Sequence, residues 1–452
     1  MKRTIINKLL QWKQDISRKK PLVLKGARQV GKTWALQEFG RKYYEEEGYS
    51  CHYIDFRESK NIHSIFQETS DPGEIINLLQ FQLRTHIATE NDLLIFDEIQ
   101  ECPEAITTLK YFEQNLKKLD IIAAGSHMGL MKNEEAFPVG KVNFLYMFPM
   151  SFGEFVSEID PAAYYYLDNF DFKTPFPTIV HEKLLELFTI YSLTGGLPEV
   201  INAFMEKWPE DIRNGALAAR KVQEELVVGY RADFAKYSGV VNANHINYVF
   251  DAVPSQLSKA LTESVKKFQF KNVIPGRKGL DSIRGPLSWL IESRLCLKSS
   301  IAVKAAHPLM SYCDGNKFKV FLFDIGILNC MLNIPIDVIL SEKLGSYKGF
   351  MLENIVAQEL FFQTNRELIS WTEGTSEIEF LITNGADIVP VEVKSAARNR
   401  RSKSLDAFID RYSPSTAIKL SRQNLGENPK RKIYSWPVYI SYKLMSGLQL
   451  HE

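Results

Sequence analysis

The spacing of apolar and polar positions divides the chain into stretches of different period. Residues 4–18 set Ile5, Leu9, Trp12 and Ile16 three to four apart, which predicts an amphipathic helix. Short apolar runs at 21–25, 51–55, 92–97 and 120–125, with a further one at 142–147, alternate with helical spacing; strands separated by helices predict a parallel sheet sandwiched between them. From about 176 to 236 the period is continuously helical. It breaks at Leu193–Pro198, LTGGLP, where two glycines and a proline force an interruption, and the stretch reads as an all-helical lid. From about Gly239, three short helical patterns precede Leu290–Val303, which turns from helix to strand. A trihelical unit with a β wing predicts a winged helix, which serves either DNA contact or as a rigid spacer inside ATPases. The last unit begins near Tyr312, with a strand at Lys317–Phe323, a helix at Ser346–Gln363 and two or three adjoining strands over Ile369–Val393, folded back at a tight turn, Thr383–Asp387.

The segment Pro21–Thr33, PLVLKGARQVGKT, changes the picture from fold to chemistry. Gly26 and Gly31 bracket Ala27, Arg28, Gln29 and Val30, and a loop of this kind curls its backbone N–H groups around phosphate oxygens, a conformation that side chains at the two glycines obstruct. Lys32 supplies a point charge for the β- and γ-phosphates, Thr33 offers its hydroxyl to Mg²⁺, and Trp34–Tyr44 reads as a helix whose N-terminal dipole faces the same anion. About 65 residues on, Asn91–Gln100, NDLLIFDEIQ, is an apolar strand ending in two carboxylates, at the end where a parallel sheet places its ligands. Asp97 is the residue to hold Mg²⁺ through water, and Glu98 the one to polarise the attacking water. Leu119–Ser126, LDIIAAGS, is another buried-strand pattern, and its Ser126 is placed to touch the γ-phosphate or the lytic water. The expected ligands are therefore ATP and Mg²⁺.

A second constellation lies in EIEFLI and DIVPVEV. Glu392 and Lys394 are two apart and project from one strand face, Glu379 lies on the paired strand, and Glu353 on the preceding helix adds a further polar group. Two carboxylates and a lysine that converge make a Mg²⁺ site for cutting phosphodiesters, with the lysine orienting or deprotonating water; the same residues also describe an acid–base cluster on a half-exposed sheet.

With 452 residues and 45% hydrophobic content the chain is long enough for several buried cores. A formal charge of +1 excludes a uniformly basic nucleic-acid coat, leaving two local clusters: Lys394–Lys403, with five cations and no acid, and Lys266–Lys278, which interleaves cations with Phe268 and Phe270. Each reads either as a solvated loop or as a phosphate contact. The cysteines Cys51, Cys102, Cys296, Cys313 and Cys330 form no CxxC pair and read as reduced thiols. With no zinc spacing, no secretory segment and no membrane span in the reading, a soluble, cytoplasmic protein is expected.

Taken together the motifs GARQVGKT at 26–33, LLIFDEIQ at 93–100, AAGSHMGLM at 123–131, FPMSFGEF at 148–155, TGGLPEV at 194–200, KVFLFDIGIL at 319–328, GFMLENIVAQEL at 349–360 and EIEFLITNGADIVPVEVKS at 377–395 resemble the bacterial and archaeal AAA+ ATPases that join an N-terminal P-loop domain to a C-terminal domain of restriction-endonuclease-like fold. The resemblance implies an α/β architecture: a P-loop core over 1–160, a helical lid over 161–238, a winged-helix-like unit over 239–311 and a restriction-endonuclease-like domain over 312–452. It implies ATP hydrolysis centred on Lys32, Thr33, Asp97 and Glu98, and a nuclease centre at Glu353, Glu379, Glu392 and Lys394. ATP is expected between core and lid, with hydrolysis repositioning the C-terminal units, DNA met through the winged helix and the basic stretch after Lys394, or a protein partner in its place. The alternative is an ATP-gated binding switch whose nuclease-like domain is inactive. Two departures bear on that choice. Glu379 stands where the family commonly has Asp, which moves the carboxylate outward by on the order of one bond length, a large shift for an octahedral metal. Gly140-Lys141 replaces a common Gly-Arg pair, and lysine does not reproduce a bidentate fork on phosphate.

Overall fold

The computed structural model describes residues 1–15, 19–126, 138, 140–259, 267–395 and 402–450, and its contacts divide the chain into two compact units, Met1–Phe148 and Pro149–Glu452.

In the first unit five strands, β1 (Leu22–Gly26), β2 (Cys51–Asp55), β3 (Leu93–Asp97), β4 (Asp120–Ser126) and β5 (Asn143–Met147), form one sheet in the order β2-β3-β4-β1-β5. Every pairing is parallel. Every residue of β3 and β4 is buried, as a sheet covered on both faces requires, so these strands are continuous apolar runs without alternation. Phe56, Phe66, Phe96 and Phe112 pack edge to face on one side with ring centroids 5.5–6.4 Å apart. Register then sets the strand ends side by side: Gly26 opposite both Ser126 and Met147, and Asp55 opposite Asp97. The five expected strands agree with these to within a residue or so. The first helix is shorter than expected, Ile5–Gln14, and residues 16–18 lie outside the described part.

The second unit opens with helices Phe152–Ile159 and Pro161–Asp168, followed by Thr178–Thr194, Pro198–Lys207, Ile212–Ser238 and Val240–Lys259. The break between the third and fourth is made by packing. Gly195 has φ 69°, and a Cβ there would meet Asp324 Oδ1 at 2.2 Å; one on Gly196 would meet the Met150 carbonyl at 2.1 Å. Asp324 is buried and accepts the N–H groups of Gly196 and Ile327 at 2.7 and 3.0 Å. Among the described residues no single helix is long and apolar enough to cross a membrane.

Beyond the helix Arg284–Glu292, strands β6 (Cys296–Ala302), β7 (Cys313–Leu322), β8 (Leu368–Glu373) and β9 (Ser376–Ile378) form a sheet in the order β7-β6-β8-β9. The strand expected as a wing, β6, makes an antiparallel pair with β7 and also pairs parallel with β8, so it is interior to a sheet that runs across the expected 311/312 boundary. Phe268 and Phe270 pack on Phe318, with centroids 6.1 and 5.6 Å away. The remaining strands, β10 (Phe380–Asn384), β11 (Asp387–Val393), β12 (Ala417–Ser421), β13 (Gly426–Asn428) and β14 (Ile433–Pro437), are ordered β10-β11-β12-β14-β13. The expected tight turn joins β10 to β11 as an antiparallel hairpin closed by Asn384 opposite Asp387, with Gly385 at φ 56°, and the helix Lys403–Tyr412 precedes β12, which runs parallel to β11.

Two buried acids of this unit carry a pH dependence. Glu359 accepts from the Phe152 N–H at 2.8 Å and the Tyr191 hydroxyl at 3.2 Å, and burial pushes its carboxyl up to about 8. Burial likewise pushes Asp324 up to about 6, against the pull of the N–H groups it accepts. Both groups bind protons more tightly folded than unfolded, so the stability they contribute is full below the ordinary carboxylate range and is lost as pH rises through about 6 and then about 8. Denaturant unfolding of this protein at pH 5, 7 and 9 should lose stability stepwise, by on the order of a few kcal/mol in all. Glu359→Gln should remove the loss between pH 7 and 9 and reduce that between pH 5 and 7 to the part due to Asp324.

Candidate functional site

The glycine loop follows β1 directly. A Cβ on Gly26 would meet the Met147 carbonyl oxygen at 2.4 Å and Val30 Cγ2 at 3.2 Å, so the loop's entrance tolerates no side chain. Gln29 and Gly31 have φ of 67° and 90°, the left-handed turns from which a concave anion-binding backbone is made. The helix Lys32–Tyr43 begins at the loop's exit, with Gly31 at its N-cap, so its dipole is directed at the same place. Lys32 is buried and its Nζ donates to the carbonyls of Gly26 and Ala27 at 3.1 and 2.9 Å. Burial lowers its ammonium to about 8, although Glu98 and Asp97 pull the other way. A buried cation satisfied by two carbonyls is poised for a polyanion.

At the end of β3, Asp97 is buried and one oxygen, Oδ2, accepts from Thr33 Oγ1 at 2.6 Å and from the Tyr53 hydroxyl at 2.8 Å. Its other oxygen accepts the Glu98 N–H at 2.9 Å. Glu98 has φ 50°, which turns it out of the strand; its Oε1 is 3.5 Å from Arg57 and its Oε2 accepts from Gln100. Arg57 also reaches Asp55 Oδ2 at 3.2 Å. Ser126 is buried at the end of β4, level with Gly26. The structure thus gathers Gly26 to Thr33, Asp97, Glu98 and Ser126 around the ends of β1, β3 and β4. It adds three residues that sequence reasoning missed: Tyr53 on Asp97, Arg57 on Glu98, and Arg3. Arg3 is buried, with one guanidinium nitrogen donating to the Val30 carbonyl at 2.7 Å and another to the Phe148 carbonyl at 2.6 Å. Tyr53 and Arg57 carry a weak signal, being polar residues at the end of an expected strand; Arg3 carries none.

The C-terminal cluster takes Glu353 from the helix Tyr347–Thr364, Glu379 from the junction of β9 and β10, and Glu392 and Lys394 from β11 and the residue just past it. Glu353, Glu379 and Glu392 are all buried. Glu379 Oε2 accepts the Val393 N–H at 3.1 Å. Glu392 contacts Lys394, and the same oxygen accepts from Ser402 Oγ at 2.7 Å; its Oε2 has no hydrogen-bond partner. Burial raises the Glu379 carboxyl well above its ordinary range, and the charges of Glu392 and Glu353 raise it further. Lys394 is raised too: burial acts against it and is outweighed by Glu392 and Glu379. All four expected residues are therefore brought together. A fifth was not expected: Lys319, on β7, is buried, contacts Glu377 and lies 3.8 Å from Glu353. Among the described residues no group of three or more His, Cys, Asp or Glu side chains is disposed to hold a metal ion. Most of the basic stretch after Lys394, residues 396–401, lies outside the described part.

A five-stranded parallel sheet with a glycine loop on β1 and acids at the end of β3 defines a P-loop nucleotide-binding domain. Residues 18–156 match the family described as an AAA domain, and this part of the chain is an AAA-type ATPase domain. Residues 185–337 and 348–439 match two families described as domains of unknown function, DUF8612 and DUF4143. No curated protein matches the chain. Solved structures similar to it include the Walker-type ATPase of Pyrococcus abyssi, at 16% identity over 73% of this chain and 95% of that one with a TM-score of 0.45. Others are the ADP form of the Aeropyrum pernix ORC2 protein, at 13% identity over 75% and 94% with a TM-score of 0.32, and AMPPCP-bound DnaA from Aquifex aeolicus, at 14% over 65% and 90% with a TM-score of 0.31.

Arg3 is testable as a brace of the loop. Arg3→Met should weaken adenine-nucleotide binding by roughly tenfold, the size of a charge-assisted hydrogen bond, as read by calorimetry at unchanged protein concentration. Gly26→Ala should weaken it more, because the obstructing atom is a backbone carbonyl.

Proposed function

We propose that the protein is a Mg²⁺-dependent AAA-type ATPase that couples ATP hydrolysis to a C-terminal module of restriction-endonuclease-like fold acting on DNA. The observation that carries the hydrolytic half is the pairing of a buried Lys32, whose ammonium donates to the loop carbonyls of Gly26 and Ala27, with Glu98 held beside Asp97 by Arg57. The loop amides and Lys32 clamp the phosphates. Thr33 and Asp97, already hydrogen-bonded to each other, are the pair to hold Mg²⁺, which supplies charge neutralisation on the phosphate oxygens. Glu98 positions and polarises the attacking water, and Ser126 senses the γ-phosphate. Arg57 sets the direction of the Glu98 carboxylate. The restriction-endonuclease-like reading of the C-terminal module is supported by the β10–β11 hairpin, the helix that leads to the parallel β12, and the convergence of Glu353, Glu379, Glu392 and Lys394.

A second reading is an ATP-gated binding switch whose C-terminal module grips its partner without cutting it. It is favoured by the longer Glu379 side chain and by the lysine found beside Glu353.

Turnover of ATP by purified protein, with and without duplex DNA, tests the first reading. Glu98→Gln should lower turnover by roughly 10²- to 10⁴-fold with nucleotide affinity retained, and DNA should raise the wild-type rate. Phosphate release undiminished in Glu98→Gln removes the assignment of the water-activating residue; a rate indifferent to DNA points to a partner of another kind. Plasmid nicking in Mg²⁺ or Mn²⁺ that is lost in Lys394→Ala favours cleavage, and DNA binding without nicking favours the switch.

A further inference from the structure

The carboxylates expected to hold a divalent ion in the C-terminal module are already matched by an internal cation. Lys319 enters the cluster from β7, a strand of the other sheet of this unit, and its side chain is only 4% exposed. It lies 3.8 Å from Glu353 Oε2, contacts Glu377, and its charge also reaches Glu379. On the far side Lys394 contacts Glu392, and Lys419 of β12 stands opposite Glu392 in the parallel register.

A divalent ion such as Mg²⁺ needs six oxygen ligands in near-octahedral array. Glu379 spends one oxygen on the Val393 N–H and Glu392 spends one on Ser402 and Lys394. The Oε2 of Glu392 carries no hydrogen bond, but the negative charge that would draw a divalent ion is already met in part by the ammonium 3.8 Å from Glu353 Oε2. The hollow beside Lys319 and Glu353 is walled largely by Val253, Leu257, Phe268, Val320, Phe321 and Phe350, apolar side chains that donate no oxygen to a metal or to its water shell. The residues present therefore do not fit a divalent metal while Lys319 is among them.

We propose that Lys319 takes the place of the metal in this module, so that the acidic cluster is a charge-compensated, metal-independent centre and does not perform metal-assisted phosphodiester hydrolysis. This holds whether or not the first unit turns over ATP, and it accounts for the acids being buried together: the ammonium of Lys319 beside Glu353 and Glu377 and that of Lys394 beside Glu392 offset part of their charge without an imported ion.

The test is Mn²⁺ binding to the nucleotide-free full-length protein, followed by electron paramagnetic resonance and by the shift of the unfolding midpoint with added Mn²⁺. The wild type is expected to bind no Mn²⁺ that depends on Glu392. Lys319→Met, which keeps the apolar stem and removes the charge, is expected to gain a Mn²⁺ site at least on the order of tenfold tighter than any in the wild type, together with a midpoint raised by Mn²⁺ and not by Na⁺. Wild-type Mn²⁺ binding that Glu392→Gln abolishes overturns the proposal, and this arm stands even where Lys319→Met fails to fold. A folded Lys319→Met that gains no Mn²⁺ also overturns it, since the lysine is then not what excludes the metal.

Discussion

The first unit depends on one constraint: a loop that turns its amides toward an anion must turn carbonyls elsewhere, and those that are buried need donors of their own. One remote donor and one local donor meet that need. Arg3, ahead of the first helix, takes the Val30 carbonyl, and its other nitrogen takes the carbonyl of Phe148, just past β5. Lys32 takes the carbonyls of Gly26 and Ala27. The close approach of Met147 to Gly26 fixes where the loop leaves β1. The shape of the loop is thus a property of the whole unit, and the thirteen-residue segment that signals it holds only part of the cause.

Much of this unit is legible in the sequence because its information is local. A parallel sheet covered on both faces forces continuous apolar runs, and Leu93–Asp97 and Asp120–Ser126 are such runs. Glycines that cannot carry a Cβ, and acids at a strand end, mark the ligand side without reference to anything distant. Arg3, Tyr53 and Arg57 are not legible in this way. Nothing within a few residues of Arg3 distinguishes it from a surface arginine on an amphipathic helix; its role exists only because folding carries it to Val30 and Phe148.

The second unit shows the opposite balance. The hairpin of β10 and β11 is local and is foreseen from its alternation and turn. The sheet containing β6 is not, since β6 pairs with β8, more than sixty residues later in the chain, and a short strand after helices looks the same in sequence whether it ends as a wing or inside a sheet. The phenylalanines at 268 and 270 show their setting only in three dimensions, where both pack on Phe318. Asp324 likewise shows its purpose only in three dimensions, where its carboxylate fills the space that Gly195 leaves at the helix break and accepts the Gly196 N–H.

The two candidate centres differ in the sign of what they lack. In the first, a buried ammonium rests on carbonyl oxygens, groups that offer dipoles and no full charge, so a polyanion improves on its surroundings. In the second, carboxylates buried to 6% exposure or less stand beside Lys319 and Lys394 and have their counter-charges in place. Burial makes an uncompensated charge expensive in either case, and the two solutions lead to different chemistry. The site that keeps a charge open awaits a ligand, whereas the site with ammonium groups beside its acids has a weaker electrostatic call on an ion from solution. On that argument a polyanion is drawn to the ATPase centre, whereas the C-terminal carboxylates already have ammonium groups as near neighbours.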